Sequence, residues 1–169
     1  NLSDFYIARH TSKGGTLTIG NQRVAQTLSG MTSSVSISFM ERPLPVAAFG
    51  LSRRLGIGFD KRWSRGGIHF TGFGKDPNIN VGRRGYGARF FINPTRTNFN
   101  ILHLGGSVPQ VEMDGEIARI WARPESHVTD VRLVDTGEFT DIKDQRVWSL
   151  ELAGARKSAS FRGEFYRAK

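Results

Sequence analysis

The chain has 169 residues, 24 Lys or Arg against 15 Asp or Glu, and a formal net charge of +9. That length suits one domain, residues 1–169, with a core of its own. Cysteine is absent, which excludes disulfides, thiolate metal sites and thiol chemistry, and no apolar run reaches the length of a membrane-spanning helix.

Strands are predicted throughout, because apolar residues alternate and long stretches of helical period are missing. Asp4 to His10 suits a first strand and Thr16 to Ile19 a second. Asn21 to Ser29 fits a strand or a short helix capped by Asn21, and the strand is preferred. Ser33 to Met40 is the clearest early strand, with Val35, Ile37 and Phe39 on one side and serines on the other. Pro43 and Pro45 end it. Val46 to Leu51 is short and apolar and is expected to be buried.

A basic segment, residues 51–96, follows. Strands are expected at Gly56–Phe59, Gly67–Phe73 and Gly87–Ile92. Turns are expected at Lys75-Asp76-Pro77-Asn78 and Asn93-Pro94-Thr95. Asn98 to Leu104 returns to the core, and Gly105 to Pro109 has the composition of a loop. A meander over residues 111–168 completes the chain. Asp114-Gly115 is the preferred dipeptide of a two-residue hairpin turn. Strands are expected at Glu116–Arg123, Val128–Val134, Glu138–Ile142, Val147–Leu152 and Ser158–Arg167, with Thr136-Gly137 a turn and Gly154 to Lys157 a loop. Trp148, Leu150 and Leu152 share a face. On the last strand Ala159, Phe161, Gly163 and Phe165 are placed inward, and Arg162, Glu164 and Tyr166 outward. The fold class is all-β: an antiparallel β-sandwich or jelly roll of roughly eight to ten short strands with little helix.

Charge is unevenly placed. Residues 1–110 carry 14 Lys or Arg and 4 Asp or Glu, and residues 111–169 carry 10 and 11. Between Leu51 and Phe91 nine basic residues are interleaved with nine glycines and seven aromatics. Guanidinium forks bind phosphate oxygens bidentately, aromatic faces stack on bases, and glycine permits close approach to a phosphate backbone. Arg53, Arg54, Lys61, Arg62, Trp63, Arg65, Arg83, Arg84, Tyr86 and Arg89 are therefore the candidate nucleic-acid-binding residues; the seven arginines are expected to form one continuous surface, with Trp63 and Tyr86 available for stacking. The competing reading is two hairpins whose arginines are merely solvated.

Catalytic and metal motifs are weaker. His10, His69, His103 and His127 show no metal-ligand spacing. His69-Phe70-Thr71 and His10-Thr11-Ser12 resemble the paired motifs of 2H phosphoesterases, but the helices of that family are missing. A ribonuclease using His69 is a minor alternative. Asp130 or Asp135 with Asp141-Ile142-Lys143 has the outline of a metal-dependent nuclease, and a solvated strand explains it better. No cofactor is expected. Glu112, Asp114 and Glu116 could offer oxygens to Ca²⁺ at a subunit interface. Trp121 between Arg119 and Arg123 suits cation–π packing.

In size, strand density and basic balance the chain resembles the single jelly-roll coat proteins of small satellite-type viruses. That resemblance implies a self-assembling capsid subunit that packages RNA or single-stranded DNA non-specifically, with a basic arm ahead of Asn1. It implies location in the virion and a large homo-oligomer. The second reading is a single-strand-binding β-barrel module inside a cell. A matrix-type protein is the third. A membrane partner is not expected, because no basic amphipathic helix is present.

Overall fold

The computed structural model describes residues 4–39, 41–74, 83–98, 100–113, 118–123, 131–140 and 142–169. It is antiparallel β with little helix, as expected from the alternation. The strands are β1 (Phe5–His10), β2 (Gly15–Arg23), β3 (Arg53–Trp63), β4 (Gly66–Phe73), β5 (Gly85–Arg96), β6 (Asn100–Glu112), β7 (Ala118–Ala122), β8 (Val134–Phe139), β9 (Asp144–Arg156) and β10 (Ala159–Ala168). Eight of them form one sheet in the order β1-β2-β3-β4-β5-β6-β9-β10, so each pairs with its neighbour in sequence apart from the excursion β7–β8, a small sheet of its own. Strands β2 to β6, β9 and β10 run 8 to 13 residues, longer than the sequence suggests.

The stretches thought to be loops are partly strand. Gly105 to Pro109 lies inside β6, paired with β5 along its length. The glycines there make room rather than turn the chain: a Cβ on Gly105 would sit 2.8 Å from a Glu151 carboxylate oxygen. Asn93-Pro94-Thr95 is a bulge within β5, where the register to β6 shifts. Thr136-Gly137 lies inside β8 opposite another shift, with Gly137 at φ 73°. Gly154 to Arg156 continues β9, and the reversal falls at Lys157, in the left-handed region at φ 52°. Lys75-Asp76-Pro77-Asn78, Asp114-Gly115 and residues 128–130 lie outside the described residues, and of the rest of the expected strand Val128–Val134 only Val134 is strand, as the first residue of β8.

Ser33 to Met40 is not a strand. Ser34–Ser36 forms a single 3₁₀ turn, and Val35 is 91% exposed. The reason is topological. β2 pairs directly with β3, Arg23 opposite Arg53, so neither strand has an edge left for the segment between them. Residues 24–52 instead form a strap. It contains α1 (Leu28–Met31), capped by the Thr27 hydroxyl on Gly30 N–H at 3.2 Å, and α2 (Leu44–Phe49), with Pro45 in its first turn. Asn21 to Arg23 ends β2, so the preferred strand over Asn21–Ser29 holds only at its start. Val46 is buried, but on a helix.

The strap lies across one face of the sheet. Ala25 N–H donates to Thr71 Oγ1 at 3.2 Å, Ser29 N–H donates to Glu164 Oε1 at 2.7 Å, and Thr27 meets the Tyr166 hydroxyl at 2.9 Å. Gly87 permits this, since a Cβ there would approach Ala25 O to 2.5 Å. The opposite face has no such cover among the described residues. One register line on it runs Arg9, Leu17, Phe59, Phe70, Ala88, and the next Ile7, Ile19, Ile57. Phe90, Leu104, Leu150 and Phe165 continue it towards β10.

This bare face inverts the usual arrangement. Ile7 is 81% exposed, Leu150 65% and Phe165 60%, while Asn21, Thr71, Ser149 and Glu151 are buried. The expected alternation on β10 is correct and its sides are exchanged: Phe161 and Phe165 point away from the strap, and Glu164 and Tyr166 point to it. A water-facing sheet of this kind would expose an apolar patch far larger than monomeric soluble proteins carry. Such a face calls for an apolar environment to cover it. The purified chain is therefore expected to stay monodisperse, with a strand-dominated circular-dichroism spectrum, in detergent micelles, and to precipitate when detergent is removed. A folded monomer in plain buffer would contradict the assignment of the bare face.

Candidate functional site: the polar face of the sheet

The polar face is built by strand alternation, one residue in two. A single register line crosses all eight strands: His10, Thr16, Asp60, His69, Arg89, Ser107, Ser149 and Tyr166. Each of these side chains can hydrogen-bond. Ser107 and Ser149 bond at 2.7 Å, His10 Nδ1 and Thr16 Oγ1 at 3.1 Å, and His69 Nε2 and Thr71 Oγ1 at 3.3 Å.

At the centre is a buried ion pair. The Arg89 guanidinium donates Nε–H to Glu151 Oε1 at 2.8 Å and Nη2–H to Oε2 at 2.7 Å. The Glu151 side chain is fully buried and that of Arg89 nearly so. His103 bridges Glu151 Oε2 and Asn93 Oδ1 at 3.0 Å each. The Phe91 ring lies 4.9 Å from the Arg89 guanidinium carbon and 5.4 Å from the His103 ring, shielding the group from water. Arg62, one register line away, donates to Asp60 at 3.2 Å. Arg162 projects from β10 on the same face and has no partner among the described residues.

The ten expected binding residues do not form one surface. Alternation sends neighbours to opposite faces, so Arg54 and Arg62 take the polar face while Arg53 and Lys61 take the other. Arg53 forms a bidentate pair with Asp4 at 2.8 and 3.0 Å. Arg54 is buried. Trp63 lies on the bare face, 6.2 Å from the Phe90 ring, and Arg65 is in the β3–β4 turn. Tyr86 is on the bare face and donates to Gln110 at 2.8 Å. Arg83 and Arg84 precede β5, Arg84 pairing with Glu112, and Arg89 is consumed by Glu151.

The enzymatic alternatives lose their geometry. His10 and His69 stand on β1 and β4, three strand steps apart, roughly 14 Å at the usual spacing. The Asp135 carboxylate is held by Arg119 at 2.7 and 2.6 Å and Arg132 at 2.9 Å, with Gly137 N–H adding a fourth bond. Those contacts, the Arg119 bond foremost, hold it well below the usual carboxylate range. Arg132 stacks on Trp121, at 5.0 Å. No cluster of three potential metal ligands occurs among the described residues. Glu112 is taken by Arg84, while Asp114 and Glu116, the other expected Ca²⁺ oxygens, lie outside the described residues. The residues not foreseen are Glu151, His103, Arg162, Glu164 and Tyr166. Their signal was the regular placement of polar side chains between the apolar ones of β6, β9 and β10.

The family model for phosphate-selective porin O and P matches residues 1–169. No curated protein matches the chain. The family match overturns the coat-protein and nucleic-acid-binding readings, the nucleic-acid partner, the virion or intracellular location and the exclusion of a membrane. It points to an outer-membrane β-barrel porin. The physical source of the error is that arginine forks answer to any phosphate or carboxylate. Porins are not an enzyme family.

The ion pair at the centre is expected to hold the wall together. Glu151→Gln leaves a buried guanidinium unpaired and should destabilise the folded chain by about 3 kcal/mol or more, while Arg89→Met with Glu151→Leu should cost much less. Urea unfolding in detergent measures both; equal losses would mean that packing, not charge, is what the pair supplies.

Proposed function

Matched from end to end, the chain belongs to the phosphate-selective porin O and P family, and we propose that its sheet is part of the wall of an outer-membrane channel that passes phosphate-like anions. The observation that carries this reading is the inversion of the sheet, apolar side chains on the bare face and polar ones beneath the strap. In this reading the bare face meets lipid and the polar face meets water. A membrane strand needs about 9–11 residues, and β2, β3, β5, β6, β9 and β10 have that length or more.

Connection length supports an orientation. At one end the links are brief, as at Ser64–Arg65 and Lys157–Ser158. At the other they span residues 24–52, 74–84 and 113–143. Outer-membrane barrels place short turns on the periplasmic side and long loops outside. The strap enters from the long-loop end and narrows the path along the polar face.

No chemistry on the solute is needed. Arg162 and the exposed Arg62 offer guanidinium donors to an anion, whereas Arg89 is already neutralised by Glu151 and serves the wall. In planar bilayers the chain should conduct anions in preference to cations. Arg162→Glu should lower that preference several-fold, and Arg162→Lys should keep most of it. A wild-type channel with no anion preference would overturn the reading.

A further inference from the structure

We propose that the short-turn end of the bare face binds anionic glycerophospholipid, with Arg156 as its phosphate-binding residue; the inference rests on the membrane reading above. Two independent observations meet there. The first is a groove of about 470 Å³ at the turn end of β5, β6, β9 and β10, within the size range of small-ligand sites. Thr95, Leu102, Arg156 and Phe161 are among the residues that line it, with Thr95 opposite Leu102 on the bare face. Gly154 stands between Leu102 and Phe161 on the same register line. A Cβ there would come within 2.5 Å of the Phe161 ring, so the ring lies against bare backbone. Arg156, the last residue of β9, stands two positions beyond Gly154 on the same face, opposite Ala159. The groove thus has an apolar floor facing lipid tails and a guanidinium at its head.

The second observation is charge. Arg9, Lys13, Lys61, Arg65, Arg156 and Lys157 all belong to this end of the sheet, in the turns or within two residues of a strand end. None has a carboxylate partner among the described residues. The nearby acids Asp60 and Glu151 lie on the polar face and hold Arg62 and Arg89. At the opposite end Arg53 pairs with Asp4 and Arg84 with Glu112, while Lys143, Arg146, Arg167 and Lys169 have no carboxylate partner among the described residues but do not line the groove. The cations of the groove end, beside the interfacial Trp63, complement anionic headgroups. The short-turn end faces the periplasmic side, so the occupant is a phospholipid of that leaflet.

Native mass spectrometry of the chain released from neutral detergent tests this, with phosphatidylglycerol and phosphatidylcholine as probes. Wild type should retain phosphatidylglycerol at least about tenfold better than phosphatidylcholine. Each interfacial cation contributes about fivefold, so Arg156→Gln with Lys157→Gln should reduce retention by about 25-fold. Lys61→Gln with Arg65→Gln, remote from the groove, should reduce it less, and Lys143→Gln at the opposite end should leave it unchanged. Equal retention of the two lipids overturns the proposal. So does equal loss in Lys143→Gln, or displacement of the lipid by millimolar inorganic phosphate, which would make the site one for the free anion. Retention without conductance in bilayers would sink the channel reading and leave this one standing. Failure of the chain to enter micelles would overturn both.

Discussion

The ladder of backbone hydrogen bonds between β1 and β10 is the constraint on which everything else depends. Seven consecutive antiparallel pairings occupy the strands from β2 to β9 on both edges. In hydrocarbon an unpaired N–H or C=O costs several kcal/mol, so a sheet whose bare face meets lipid must satisfy its backbone internally. Within the paired ladder, side chains can only alternate. The apolar set goes to one face and the polar set to the other with no choice left to individual residues. The pairing of β2 with β3 keeps residues 24–52 out of the sheet, and they lie on its polar face.

Glycine and serine make that support possible. Gly87 lets Ala25 touch the sheet, Gly105 gives Glu151 its place, and Gly154 gives Phe161 its place on the other side. These are close approaches, not turns. Their frequency in the middle of strands is what made the sequence resemble a loop-rich protein. A wall with a strap on one face and lipid on the other needs small residues wherever a large side chain lies flat on it.

Charge is divided by role in the same way. Arg89 is buried against Glu151 and braces the wall. Arg62 and Arg162 lie on the polar face, and Arg156 on the bare face at the short-turn end. A single count of arginines conceals three environments that differ in water content, and an ion pair is worth something different in each. His103 and Phe91 belong to the brace, since they close it off from water. The separate pair of β7 and β8 is held by Arg119 and Arg132 on Asp135.

The all-β class, the positions of most strands and the residues sharing a face were legible in the sequence, because the period of two is a local property of the strand. Val147–Leu152 and Ser158–Arg167 show it plainly. Side was not legible. Alternation says that Phe161 and Phe165 go together but not whether they meet a core or a bilayer, since the pattern is identical in both solvents. Nor was the strap, as Ser33 to Met40 alternates like a strand and fails to be one only because β2 and β3 have already paired. The partner of each arginine was likewise a matter of tertiary structure: Arg89 and Glu151 lie 62 positions apart, and only the register of β5, β6 and β9 brings them together.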